Sequence, residues 1–199
     1  MVVRKNLNKK FALVSVYDKK NLRFLCLNLI KNDYYLISTG STGEKIRSMG
    51  FKCIDISKIT KFKEMFDGRI KTLNPLIYAS LLYRRDIGAH KKQFLSLDVP
   101  EIDIVVVNFY PFEKFNKNKN KEKIVEMIDI GGPSLLRAAS KNYKFVTPVI
   151  NTKDYYKLID NIKSNKGKTD IIFRKRMANK VFRETSKYDK IISKLFYEN

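Results

Sequence analysis

The run Asp103–Tyr110 (DIVVVNFY) constrains the fold more than any other feature of this 199-residue chain. It shows no polar/apolar alternation, so neither of its faces can be left to water, and its Val-rich composition is that of a strand. A strand covered on both sides belongs to a sheet layered between helices. The first quarter of the chain supplies neighbours for it. Phe11–Val16 (FALVSV) is a short apolar run of the same kind. Lys19–Lys31 places Leu22, Leu25, Leu29 and Ile30 at helical spacing, with Asp18 positioned to cap it. Tyr34–Ser38 predicts a second strand. Thr39–Gly43 turns into a short helix ending near Gly50, and Phe51–Ile56 predicts a third strand. A β-α-β-α-β order argues for parallel strands with right-handed crossovers.

Beyond this unit, Ser57–Pro75 lacks periodicity, which in a compact domain points to a working loop. Leu76–Arg84 reads as a helix. After the central strand comes a Lys/Asn-rich loop, Lys114 to Lys123, and then a helix over Lys121–Met127. Asp129–Pro133 is a Gly-Pro turn, with Pro133 suited to the first position of a helix over Ser134–Ala139. Phe145–Ile150 predicts a last strand. Thr152–Lys163, Asp170–Glu184 and Lys187–Phe196 read as three closing helices. The expectation is one α/β domain over residues 1–199. No apolar run approaches the roughly 18 residues of a membrane span, and Phe11–Val16 is too short for a signal-peptide core.

The 41 Lys and Arg against 20 Asp and Glu give a net charge of +21. Nucleic-acid binding is the sharp reading of such a balance. Yet Lys, Asn, Ile, Phe and Tyr, the abundant types, share codons rich in A and T, and no zinc-finger, RRM or basic-zipper pattern is present. Composition drift explains the surface, so nucleic acid is not expected as the main ligand. The charge still favours an anionic substrate. Cys26 and Cys53 form no CxxC or Cys/His cluster, so neither a disulfide framework nor a metal site is expected.

Several segments place polar residues at the carboxyl ends of the strands, the working edge of a parallel sheet. Asp18 and Lys19 leave the first strand. Thr39, Gly40, Ser41 and Thr42 follow the second, where glycine frees the backbone, hydroxyls add donors and a helix start favours an anion. Arg69 and Lys71 alternate in GRIKTLNP, so an extended loop would point both cations one way. Asn108 and Tyr110 end the central strand. Asp129 precedes Gly131-Gly132, and Lys141 ends the helix that follows. Spacing alone names no reaction.

In this order, ALVSVYDK from Ala12, STGSTGEKIRSMG, GRIKTLNP, DIVVVNFYPFEK, IDIGGPSLLRAASKN and KVFRETSKYD resemble the inosine monophosphate cyclohydrolase domain of the bifunctional purine biosynthesis proteins. The resemblance covers nearly the whole chain. It implies a methylglyoxal-synthase-like fold, a parallel sheet with helices on both faces. It implies dehydrative ring closure of 5-formamidoimidazole-4-carboxamide ribotide to inosine monophosphate, without metal or organic cofactor. By the same resemblance Lys71, Tyr110, Asp129 and Lys141 are catalytic candidates. Lys71 and Tyr110 would stabilise the developing oxyanion, and Asp129 and Lys141 would move protons. Tyr17, Asp18, Lys19, Thr39, Gly40, Ser41, Thr42, Arg69, Ile70, Thr72, Val107, Asn108 and Ile130 are implied substrate contacts.

The chain departs from the family pattern at several points. Asn74 stands for a His, Tyr17 for a Ser, Ser41 for a Gly and Tyr143 for a His. Asn74 cannot titrate near neutral pH, so only a hydrogen-bonding role survives there. His90, the one histidine, is expected in a loop as a structural or exposed residue. The family's formyltransferase domain has no counterpart before the chain stops at Asn199, which leaves a separate formyltransferase as a partner. A homodimer and a cytoplasmic location follow from the resemblance. The alternative to an enzyme is a non-catalytic basic module that binds nucleotide or nucleic acid.

Overall fold

The computed structural model describes residues 9–109 and 121–197. The predicted α/β architecture is present: a five-stranded, all-parallel sheet in the order β3-β2-β1-β4-β5. The strands are β1 (Lys10–Val16), β2 (Tyr34–Ser38), β3 (Cys53–Asp55), β4 (Ile102–Asn108) and β5 (Thr147–Val149). Between them run α1 (Leu22–Lys31), α2 (Gly40–Ser48), α3 (Ile56–Thr60), α4 (Pro75–Leu82), α5 (Gly88–Ser96), α6 (Lys121–Glu126) and α7 (Gly131–Lys141). A 3-10 turn (Thr152–Asp154), α8 (Tyr155–Ser164) and α9 (Ile171–Leu195) close the chain.

Strand residues divide between the two faces with a period of two, as a sheet covered on both sides requires. Phe11 and Leu13 of β1 join Val105 and Val107 of β4 in one core, against Ile77 and Leu81 of α4 and Leu135 and Leu136 of α7. Ala12, Val14, Val16, Ile104 and Val106 form the other core, against Leu25 and Leu29 of α1, Ile46 of α2 and Leu158 and Ile162 of α8. The order runs outward from β1 to β3, then resumes at β4 on the opposite side of β1. The strand order therefore reverses between β1 and β4, where the carboxyl ends of an open sheet leave a crevice.

Several local expectations are corrected. Helix α1 starts at Leu22, behind a left-handed Asn21 (φ 59°), and Asp18 does not cap it. The Asp18 carboxylate instead accepts from the Lys20 N–H at 2.9 Å. Pro133 is the third residue of α7, not the first; its missing N–H is harmless there because first-turn amides have no helical acceptor. The aperiodic stretch carries α3, and a further helix, α5, lies between α4 and β4. His90 lies on α5, where its Nδ1 accepts from the Arg84 N–H at 3.1 Å. The last two expected helices are one, α9, of 25 residues. Tyr110 and the Lys/Asn loop from Lys114 to Asn120 lie outside the described residues. Cys26 is buried, Cys53 is half-buried, and both are free thiols. Among the described residues, no helix is long and apolar enough to cross a membrane.

Candidate active site

A cleft of about 600 Å³ opens at the carboxyl edge, lined by Ser15 from β1, Thr39 ahead of α2, the loop before α4, and the segment Val125–Gly132. Of the sequence candidates it gathers Thr39, Arg69, Lys71, Thr72, Asp129 and Ile130.

The first wall is the start of α2. Thr39 is extended (φ −142°) and its side chain makes no capping bond. First-turn amides lack helical acceptors, so those of Gly40, Ser41 and Thr42 form a partially positive end that suits an anion. The Thr42 hydroxyl is already engaged: it accepts from the Val16 N–H at 3.1 Å and donates to the Val16 carbonyl at 3.0 Å. Ser38 likewise donates to the Val14 carbonyl at 2.6 Å. These two hydroxyls fasten the β2-α2 turn to β1. What the turn offers a ligand is backbone N–H, together with the exposed Ser41.

The second wall is the loop 61–74. A bridge between Met65 and Ile70 ties a tight turn in which Phe66, Asp67 and Gly68 all have positive φ. That turn breaks the alternation expected of an extended strand and sends the two cations apart. Arg69 faces outward, its Nε donating to Glu126 Oε1 at 3.0 Å in an exposed, two-pronged ion pair across the cleft mouth. Lys71 turns inward, half-buried, with Nζ 3.2 Å from Glu64 Oε2. Its stem crosses Gly68, where a Cβ would lie 2.1 Å from the Lys71 Cε. Its ammonium reaches the start of α2, 3.3 Å from where a Cβ on Gly40 would stand. A cation and a helix N-terminus thus meet at one point.

The third wall holds Asp129. Its Oδ1 accepts from the Gly132 N–H at 2.8 Å, at the start of α7. Burial pushes its carboxyl above the ordinary carboxylate range, opposed by hydrogen bonds from the Gly132 and Gly131 amides. A carboxylate with a raised pKa in a cleft is a candidate proton carrier. Gly132 is what admits it: a Cβ there would lie 2.4 Å from Asp129 Oδ2 and 3.0 Å from Val107 Cγ1.

Other candidates support the cleft rather than line it. Asn108 accepts from the Asp18 N–H at 2.8 Å and donates to the Asp18 carbonyl at 3.1 Å, which fixes the loop carrying Tyr17, Asp18 and Lys19. The Lys19 ammonium donates to the Tyr17 carbonyl at 3.5 Å. Val107 is buried under Gly132, and Ile70 is half-buried in the Met65 bridge. Lys141 is exposed in the last turn of α7. A rise of about 1.5 Å per residue puts it roughly 15 Å along the helix from Gly131, away from the cleft within one chain. Asn142 beside it is buried and donates to the carbonyls of Leu81 and Tyr83, at 2.8 and 2.9 Å. Asn74 caps α4, accepting from the Leu76 N–H at 2.9 Å, a hydrogen-bonding role that needs no titration. Glu64, Glu126 and Tyr188 carry no signal in the sequence, because only the folded loop, α6 and α9 bring them to the site. Among the described residues, no group of three or more His, Cys, Asp or Glu could hold a metal ion.

The chain is similar to known proteins along nearly all its length. The family model for the MGS-like domain matches residues 22–134, and that for the AICARFT/IMPCHase bienzyme matches residues 139–199. A protein of Clostridium botulinum (strain Langeland) named bifunctional purine biosynthesis protein PurH is 46% identical over 190 residues, 95% of this chain and 38% of the relative. A PurH of Lactobacillus acidophilus is 45% identical over 186 residues, 92% of this chain and 36% of the relative. A solved structure titled "Crystal structure of ForH" aligns with a TM-score of 0.85 and 26% identity, covering 95% of this chain and 100% of that one. The chain spans less than two-fifths of the length of these PurH relatives.

Proposed function

The chain belongs to the MGS-like domain family, and from that premise we propose that it is an inosine monophosphate cyclohydrolase. It closes the second ring of 5-formamidoimidazole-4-carboxamide ribotide in purine biosynthesis. The observation that carries this reading is the meeting of the Lys71 ammonium with the start of α2, in the same cleft as the half-buried Asp129.

The substrate's 5′-phosphate accepts from the N–H groups of Gly40, Ser41 and Thr42, and its base lies between Lys71 and Asp129. The carboxamide nitrogen attacks the formyl carbon. A C–N bond forms, the carbonyl π pair moves onto the formyl oxygen, and that nitrogen gives up a proton. Lys71 stabilises the oxygen, and Asp129 accepts the proton. Asp129 returns that proton to the oxyanion, giving a hydroxyl. The hydroxyl then leaves as water with the proton of the former formamide N–H, and the C=N bond that forms makes the ring aromatic. The pieces are one substrate in, one product and one water out. Holding formamide and carboxamide in a near-attack pose supplies much of the rate.

The cytoplasm is the expected compartment. A formyltransferase, fused or separate, supplies the formylated substrate, and a homodimer is the expected assembly. Tyr110 remains a second candidate for the oxyanion. Lys141 is left without a step within a single chain. The test follows product formation by absorbance for the parent and for Lys71→Ala. Loss of one preorganised donor costs about 3–4 kcal/mol of barrier, roughly 100- to 1000-fold in turnover. A variant that turns over like its parent would remove Lys71 from the mechanism.

A further inference from the structure

We propose that Tyr188, on the closing helix α9, is the positioning residue for Asp129. It fixes the carboxylate for proton transfer from a distance of about 60 residues along the chain. The inference rests on the reading of Asp129 as the proton carrier of the cyclisation.

The Asp129 amide stands just ahead of α7, so no helical carbonyl can accept from it. A half-buried amide left without an acceptor is costly. The Tyr188 hydroxyl oxygen accepts from it at 2.9 Å. At the other end of the residue, the carboxylate accepts from Gly132 at 2.8 Å. Asp129 is therefore held from two sides, its main chain by α9 and its carboxylate by α7.

Tyr188 is itself fixed. Only 6% of it is exposed, and its ring lies 5.0 Å from that of Phe109 at the end of β4. With Ile124 it centres a small third core, against which Met127, Ile128, Ile191, Ile192 and Leu195 pack. That core joins the last turns of α9 to the segment Val125–Ile130, which is the acidic wall of the cleft. The continuity of α9 past Glu184 thus has a consequence at the site: it carries an acceptor to the amide of Asp129.

Tyr188→Phe keeps the ring and its packing and removes only the oxygen. The experiment measures three quantities in parent and variant: kcat and KM across pH, the thermal midpoint, and the titration of the Asp129 carboxyl by ¹³C NMR. A misplaced reacting group costs roughly 10- to 100-fold in rate. We expect that loss in kcat, with KM within about twofold because the phosphate end at α2 is untouched. Burial is the main cause of the raised Asp129 pKa, so release of the residue moves its titration down toward the ordinary carboxylate range. The acid limb of the kcat profile moves with it. A lower thermal midpoint with unchanged kcat and unchanged titration would show Tyr188 to be packing alone, and would overturn the proposal. If the parent forms no product, the cyclisation reading fails, and the two NMR titrations decide the positioning claim without it.

Discussion

Gly132→Ala is a small substitution with a large expected consequence. Gly132 is the second residue of α7 and has no left-handed φ, so alanine meets no backbone strain. Its Cβ would stand 2.4 Å from Asp129 Oδ2 and 3.0 Å from Val107 Cγ1. Val107 is fully packed within β4 and cannot yield. The carboxylate must then recede by at least ~0.6 Å to reach even a tight contact, and the 2.8 Å bond to the Gly132 N–H is lost or bent. A hydrogen bond to a charged acceptor contributes about 1.5–3 kcal/mol. Alanine returns up to about 1 kcal/mol of helix propensity, less at a helix end. The net is a loss of roughly 1–2 kcal/mol, which lowers the melting point of a domain this size by about 2–8 °C. Turnover should fall roughly 100-fold, the cost of misplacing a reacting group by an ångström. KM should change little. The assays are a thermal melt, circular dichroism to confirm the fold, and initial rates of product formation. Gly88→Ala on α5 is the control, since its Cβ would meet nothing within 4 Å. A Gly132→Ala protein with turnover within twofold of the parent would refute the reasoning, because the close approach of Asp129 to α7 would then have no catalytic value.

Other outcomes follow from the same geometry. Gly68→Ala should cost about 1–2 kcal/mol for its left-handed backbone and displace the Lys71 stem, with lower kcat in steady-state assays and a lower melting point. Asn142→Ala should destabilise by about 2–3 kcal/mol, read by urea titration, because a buried and a half-buried carbonyl at the end of α4 lose their donor. Glu101 shares the Arg85 guanidinium with Asp103, and burial together with the Asp103 charge raises its carboxyl to about 7. Its folded pKa lies above the unfolded value, so the stabilisation is complete below about pH 4.5 and is lost as pH rises through about 7. Glu101→Gln should flatten melting point against pH across that window, and a curve parallel to the parent's would count against this assignment.

The sheet was legible because uninterrupted apolar runs admit few alternatives, and β1, β2 and β4 fall where those runs are. The site was legible only in part. Arg69 and Lys71 look equivalent in sequence, but three consecutive left-handed residues turn the loop and give them different tasks. Sequence marks Thr42 and Asn108 as polar residues at the sheet's working edge, but only the folded chain shows that their side chains also hold Val16 and Asp18 in place. Helix α9 was split because Thr185 and Ser186 interrupt its apolar pattern. Its buried residues change partners there, from the main cores at Met177 and Val181 to the third core at Tyr188. Helix α5 escaped because Phe94 is its one buried residue, too little to make a period.

The most direct test is a crystal structure of this chain with inosine monophosphate bound. The phosphate is expected on the amides of Gly40, Ser41 and Thr42, with the purine's six-membered ring between the Lys71 ammonium and the Asp129 carboxylate. A nucleotide bound elsewhere, or with its phosphate remote from the start of α2, would contradict the cyclohydrolase reading.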